Sequence, residues 1–309
     1  MVNFLKYKVI YFLISLTVIG IGLFSIFKWG YYYSIDFVGG TNLEYQAKKN
    51  ISQEKVKKIL IKEKIDFNYL SINQKTISIK TKPLDEKKID QLKKILEKDL
   101  DSSLTLIKSE TVGPTLSAEN LKKTVIACFL AILGILVYIS FAFKSFNYAL
   151  AAFLAMIHDL LVILGSYSLF SHFFRAEVDT LFITAVLTTM SFSVHDTIVI
   201  FDKIREYLQE EGQKDIKYFA NKALTETMVR SINNSMTIIF MLLALVLLGG
   251  STIRFFALTL LIGTITGTYS SPFVATPILV WLEKRKIKIK PIHYDRDKMV
   301  KVGIIKNFF

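Results

Sequence analysis

The 309-residue chain is 52% hydrophobic and carries a formal net charge of +13, from 39 Lys and Arg against 26 Asp and Glu. No recognisable nucleic-acid motif accompanies this positive charge, so we expect no nucleic-acid partner. The single cysteine, Cys128, excludes an intrachain disulfide. Six apolar runs reach about 18 residues, the length that crosses a bilayer, and the chain is therefore predicted to be an α-helical integral membrane protein.

Residues 1–28 hold a short basic N-terminus and the first spanning segment, TM1 (Val9–Phe27). No convincing small-x-small cleavage site follows this run, so we expect an uncleaved helix instead of a signal peptide.

Residues 29–120 form a Lys-rich polar insert between TM1 and TM2 that is long enough for a small folded domain. Alternating and helical hydrophobic patterns predict its elements. In chain order they are a strand over Gly39–Gln46, a helix over Ser52–Lys64, strands over Phe67–Ile72 and Thr76–Lys80, a helix over Leu84–Leu100 and a strand over Leu104–Val112. This βαββαβ order predicts an α+β, ferredoxin-like domain.

Residues 121–282 form a bundle of the five remaining spans, and residues 283–309 form a basic tail. The spans are TM2 (Thr124–Phe143), TM3 (Tyr148–Phe170), TM4 (Thr180–Phe201), TM5 (Met228–Leu248) and TM6 (Phe255–Trp281). A separate surface helix is predicted over Asp215–Thr227. Lys and Arg concentrate in the short loops on the side of both termini, which predicts cytoplasmic termini and an extracytoplasmic insert.

The stretch Ser191–Glu206 carries the most informative chemistry, because Asp196 lies within an apolar run. A carboxylate there costs at least ~2.5 kcal/mol and is a functional-site hypothesis unless it snorkels to the headgroups. Ser193 and Asp196 share a face of TM4, and Arg230 and Asn234 share a face of TM5. The antiparallel order of the two helices predicts an ion pair between Asp196 and Arg230.

Such a pair is suited to ion coupling, because gain or loss of a proton or cation at Asp196 would change its attraction to Arg230. Carboxylate and hydroxyl oxygens suit Na⁺ as well as H⁺, so the ion stays open. His195 adds a titratable group, and His158 and Asp159 on TM3 are secondary candidates for the ion path; a packing role is the alternative for both histidines. Phosphate-binding loops, hydrolase motifs and metal-ligand clusters are absent from the sequence, so no cofactor, metal or covalent catalysis is expected.

Several motifs resemble the SecF family, the smaller half of the SecD–SecF complex of bacterial protein export. They are Ile35–Thr41 after TM1, Thr111–Pro114 before TM2, Ile157–Asp159 in TM3, Ser193–Thr197 with Phe201–Glu206 around the end of TM4, and Gly267–Ser271 in TM6. The chain departs from the family pattern at Ser191-Phe192, where Gly-Tyr is common, and at His195, where Asn is expected.

The resemblance implies a member of the resistance-nodulation-division superfamily in the cell (cytoplasmic or inner) membrane. It implies SecD as partner, contacts with the SecYEG channel, YajC and YidC, and a translocating preprotein that is assisted by the proton or sodium gradient. In the family pattern, Asp196 matches the functional aspartate of TM4 and Arg230 the arginine of TM5 that pairs with it. Ser193, Thr197 and Asn234 complete the predicted ion-coupling site. Two alternatives remain: a small-molecule exporter of the same superfamily, and a structural subunit without ion coupling.

Overall fold

The computed structural model describes residues 2–73, 75–143, 145–211 and 215–289. In chain order its elements are α1 (Lys8–Trp29), β1 (Tyr32–Tyr33), α2 (Ile35–Val38), β2 (Gly40–Ala47), α3 (Gln53–Lys62), β3 (Phe67–Asn73), β4 (Thr76–Thr81), α4 (Glu86–Leu100), β5 (Leu104–Val112), α5 (Pro114–Phe143), α6 (Phe146–Phe174), β6 (Glu177–Val178), α7 (Thr180–Glu210), α8 (Ile216–Leu248), α9 (Ser251–Ser270) and, after a π-helical turn (Ser271–Ala275), α10 (Thr276–Ile289). Residues 290–309 of the predicted basic tail lie outside the described residues.

Six stretches of helix are long and apolar enough to cross a membrane: α1, α5, α6, α7, α8 and the α9–α10 region. The prediction of six spans is confirmed, and the chain is a multi-pass membrane protein. The predicted surface helix before TM5 is wrong as a separate element, because residues 216–248 form the single helix α8. No Gly or Pro interrupts this stretch, so the α-helix continues from the polar part into the apolar part.

The insert folds as a four-stranded sheet in the order β3-β4-β2-β5, in which all neighbouring strands are antiparallel. Alternate residues of β2 and β4, such as Leu43 and Ile79, are fully buried against α3 and α4. The helices contribute Leu60 and Leu96 to the same core. Burial of each such side chain contributes about 1.5–3 kcal/mol, so the insert has a hydrophobic core of its own.

A second, two-stranded sheet that the sequence did not predict joins the insert to the TM3–TM4 loop. Strands β1 and β6 pair in parallel, with Tyr32 opposite Glu177. The Ser34 N–H donates to the Val178 carbonyl at 3.0 Å, and Lys80 of β4 forms an ion pair with Glu177. The base of the insert is therefore attached to the residues immediately before α7.

The Gly39-Gly40 pair after α2 is required by backbone geometry. Gly39 has a φ of +74° and Gly40 a φ of +139°, which side-chain-bearing residues rarely adopt. A Cβ at Gly40 would also lie 2.6 Å from the Thr81 carbonyl oxygen. The two glycines thus allow the chain to turn from α2 directly into the centre of the sheet.

The spanning helices pack around α6, α7 and the α9–α10 region, while α1, α5 and α8 leave most of their surface outside this chain. Small residues allow close approach: a Cβ at Gly263 of α9 would lie 2.3 Å from Thr189 of α7. Pro272 lies in the π-helical turn between α9 and α10. There the Thr276 hydroxyl donates to the Ser271 carbonyl at 3.0 Å, which satisfies a backbone group in the irregular segment.

Candidate functional site

Asp196 lies half-buried on α7, where it faces α8. Its Oδ2 accepts a hydrogen bond from the Ser231 hydroxyl at 2.9 Å. A cavity of about 350 Å³ adjoins the carboxylate, and its polar lining includes His195, Arg230 and Asn234. The structure therefore brings these predicted site residues together around Asp196.

The predicted ion pair between Asp196 and Arg230 is not present among the ion pairs of the described residues. Successive residues of an α-helix are rotated by about 100°. On α8 this rotation directs Ser231 towards α7, whereas Arg230 is exposed at the surface of this chain. Arg230 shares the cavity with Asp196 without pairing to it, and the assignment of both residues to ion coupling stays a prediction.

A second carboxylate, Asp159 of α6, lies at the centre of the bundle and is only 1% exposed. The Ser193 hydroxyl of α7 donates to its Oδ2, and the Ser270 hydroxyl of α9 donates to the same atom at 2.7 Å. His158 Nδ1 lies 2.8 Å from the other oxygen, Oδ1. Helices α6, α7 and α9 thus meet at this carboxylate.

The network extends from Asp159 to α1 on one side and towards the π-helical turn on the other. His158 Nε2 lies 2.9 Å from the Ser15 hydroxyl of α1. The Thr197 hydroxyl on α7 pairs with the Ser271 hydroxyl at 2.9 Å. Two of the predicted residues, Ser193 and Thr197, therefore point to the buried centre instead of the cavity beside Asp196.

A smaller cavity lies beside Asp196 and Ser193. It measures about 10 Å³ and is lined by both Ser193 and Asp196, together with Asn234 and Thr268. A space of this size accommodates about one water molecule. Ser193 therefore contacts Asp159 directly and lies beside the same small cavity as Asp196.

The arrangement offers oxygen and imidazole groups that can bind a proton or a hard cation. Within the described ranges, no group of three or more His, Cys, Asp or Glu side chains has the geometry of a metal site. Both carboxylates have hydroxyl groups as neighbours, which can either donate or accept hydrogen bonds.

Four hydroxyl residues of these networks were missed from the sequence: Ser231, Ser270, Ser271 and Ser15. Ser231 directly follows Arg230, and Ser270 belongs to the TM6 motif, so both had weak signals. Ser15 is a polar residue in the apolar run of TM1. Ser15 lies seven residues before Gly22 on α1, and His158 lies seven residues before Gly165 on α6. Because Gly22 packs against Gly165, the equal spacing places Ser15 beside His158.

Comparisons with known proteins agree with this architecture. The family described as "Protein export membrane protein SecD/SecF, C-terminal" matches residues 91–285. The chain is 36% identical over 307 residues to protein translocase subunit SecF of Thermobaculum terrenum, covering 94% of this chain and 96% of that protein. It is 32% identical over 270 residues to protein translocase subunit SecDF of Thermus thermophilus, covering 84% of this chain and 36% of that protein.

The crystal structure of Thermus thermophilus SecDF, described as a translocon-associated membrane protein, has a TM-score of 0.81 and 30% sequence identity to this chain. The match covers 92% of this chain and 39% of that chain. The fold is thus that of a multi-pass membrane protein with a folded insert after its first span. The chain belongs to the SecD/SecF family of protein-export membrane proteins.

Proposed function

We propose that this chain is the SecF-type subunit that works with SecD and uses the proton or sodium gradient to assist preprotein translocation. The observation that carries the proposal is Asp196: a half-buried carboxylate in a spanning helix, beside a polar cavity that also holds Arg230. One charge crossing ~100 mV supplies about 2.3 kcal/mol, which is enough to shift a conformational equilibrium about fifty-fold.

The exposed face of α8 supports SecD as the partner. Arg230, Asn233, Asn234 and Thr237 recur at helical spacing and are all exposed on this chain. An arginine and two amides facing lipid would be costly, so this face requires a polar protein surface or water. The match to SecDF proteins covers only about a third of their length, which leaves room for a SecD portion in those relatives.

Attachment of the insert to α7 supports a mechanical path between the ion site and the other end of the bundle. The insert contacts the residues before α7 through Ser34 and Lys80. At the first turn of α7, the Thr180 hydroxyl donates to Asp36 Oδ2 at 3.2 Å. A displacement of α7 caused by a charge change at Asp196 would therefore reach the base of the insert.

The remaining assignments form part of the same proposal. The insert is extracytoplasmic and of the ferredoxin-like class, supported by its strand order and its two helices on one face. Both termini are cytoplasmic in the cell membrane, and the complex assists preproteins at the SecYEG channel, with YajC and YidC as further partners. The subunit performs no covalent catalysis and needs no cofactor besides the coupling ion.

The test is replacement of Asp196 in cells that depend on this chain for export. Asp196→Asn is nearly isosteric but cannot exchange a proton at this position, so we expect loss of export stimulation with normal expression and normal copurification with SecD. Asp196→Glu preserves a carboxylate and should retain part of the stimulation. Full stimulation in Asp196→Asn would instead favour a structural subunit without ion coupling.

A further inference from the structure

The buried centre of the bundle contains a carboxylate that pairs with no Lys or Arg of the described residues. Asp159 is 1% exposed and His158 is 8% exposed, and the ion pairs of the described residues bring no Lys or Arg to either one. An isolated charge at such a position is costly in free energy. The only titratable group bonded to Asp159 in the described part of the chain is His158, its neighbour on α6.

Hydrogen bonding allows this pair to hold an additional proton in either of two ways. The 2.8 Å contact joins His158 Nδ1 to Asp159 Oδ1, so the proton can reside on the carboxyl group or complete an imidazolium. On the far side of the ring, Nε2 contacts the Ser15 hydroxyl at 2.9 Å. A hydroxyl both donates and accepts, so Ser15 can serve the neutral ring and the imidazolium without a change in packing.

Within the part of the chain that the structure describes, the elements packed around the pair contribute Tyr269 and Asp196 as further titratable groups. Tyr269 of α9 lies with its hydroxyl 3.5 Å from the Ser15 hydroxyl, and it donates to the Tyr11 carbonyl at 2.8 Å. Asp196 of α7 lies one helical turn beyond Ser193 and adjoins the same small cavity. Asp196 is therefore the carboxylate with which the pair can exchange a proton.

We propose that His158 and Asp159 form a proton-binding dyad in series with Asp196, connected to it through the Ser193 hydroxyl. The step is a proton transfer only: one proton leaves the Asp196 carboxyl group and one is gained by the dyad, by way of Ser193 and a water in the small cavity. This inference rests on the proposed ion coupling and adds a second proton-binding site to it. Transfer would alter the hydrogen bonds of Ser193 and Ser270, and hence the contact of α6 with α7 and α9.

The experiment is infrared difference spectroscopy after a pH jump on the full chain in lipid nanodiscs with SecD. Isotope-labelled aspartate and histidine in the wild-type protein identify protonated carboxyl and imidazolium bands without any substitution. We expect two separable responses: one lost in Asp196→Asn, and one lost in both Asp159→Asn and His158→Gln. Ser193→Ala should shift the dyad band and slow its appearance.

Thr189→Val is the matched control for Ser193→Ala. Thr189 is equally buried on the same helix, but its hydroxyl donates only to the Val186 carbonyl of its own helix, so both responses should be unchanged. A wild-type spectrum with an Asp196 response and no dyad response would overturn this inference and leave the proposed function intact. Absence of both responses would overturn this inference and would restrict the proposed function to sodium coupling.

Discussion

The backbone-to-backbone contact between Gly22 of α1 and Gly165 of α6 provides a quantitative prediction. A Cβ added at Gly165 would lie 2.5 Å from the Gly22 Cα, whereas carbon atoms in contact are about 3.5–4.0 Å apart. In Gly165→Ala, α1 and α6 must therefore separate by about 1 Å. The interface between α1 and α6 also contains the 2.8 Å hydrogen bond between the Ser25 and Ser168 hydroxyls. The separation would stretch this bond beyond hydrogen-bond distance.

Overpacking costs about 1–3 kcal/mol, and a hydrogen bond between spanning helices contributes about 0.6 kcal/mol. We therefore expect Gly165→Ala to destabilise the protein by about 2–4 kcal/mol. Thermal unfolding in detergent, followed by tryptophan fluorescence, is a suitable assay, because Trp29 at the end of α1 stacks on His172 of α6 at 4.1 Å. Gly20→Ala is the matched control, since a Cβ at Gly20 has no atom within 4 Å. The reasoning is refuted if Gly165→Ala melts at or above the temperature of Gly20→Ala.

Three further predictions concern the junction between the insert and α7. Asp179 caps α7 by accepting the Phe182 N–H at 2.7 Å, so Asp179→Ala should destabilise the protein by about 1 kcal/mol, whereas Asp179→Asn keeps the cap. Burial, with Asp36 and Glu177 nearby, raises the pKa of Asp179 in the folded protein. In thermal melts, the stability of the wild type relative to Asp179→Asn should therefore fall as the pH rises through the native pKa. A stability difference that does not change with pH would contradict this. Lys80→Ala should weaken the attachment of the insert to the bundle and increase proteolysis after β1. Lys82→Ala, which removes an exposed ion pair within the insert, should not. Equal proteolysis of the two variants would count against a role of Lys80 in the attachment.

Much of the fold followed from the sequence, because hydrophobic period and length specify individual elements. The six spans and the strands and helices of the insert were all present where the patterns placed them. The two-residue strands β1 and β6 could not be predicted, since two residues have no measurable alternation. Their pairing depends on the position of the insert above the TM3–TM4 loop, which is a tertiary property.

The site was predictable in composition but not in its contacts. Helical spacing placed Asp196 and Arg230 at similar depth, yet rotation about the helix axis decided that Ser231 would contact the carboxylate. Spacing also could not show that Ser193 would bond to Asp159. Ser193 lies three residues before Asp196 on α7, but its side chain is directed towards α6. Depth can be read from an apolar run, whereas the direction of each face depends on packing against several helices at once.

The central claim is most directly tested by preprotein translocation into sealed vesicles that contain this chain with SecD and the channel. The proton and sodium gradients are collapsed separately, in the wild type and in Asp196→Asn. We expect collapse of one of the two gradients to remove the stimulation in the wild type, and Asp196→Asn to behave like the wild type without that gradient. Stimulation that survives the loss of both gradients, or that persists undiminished in Asp196→Asn, would contradict it.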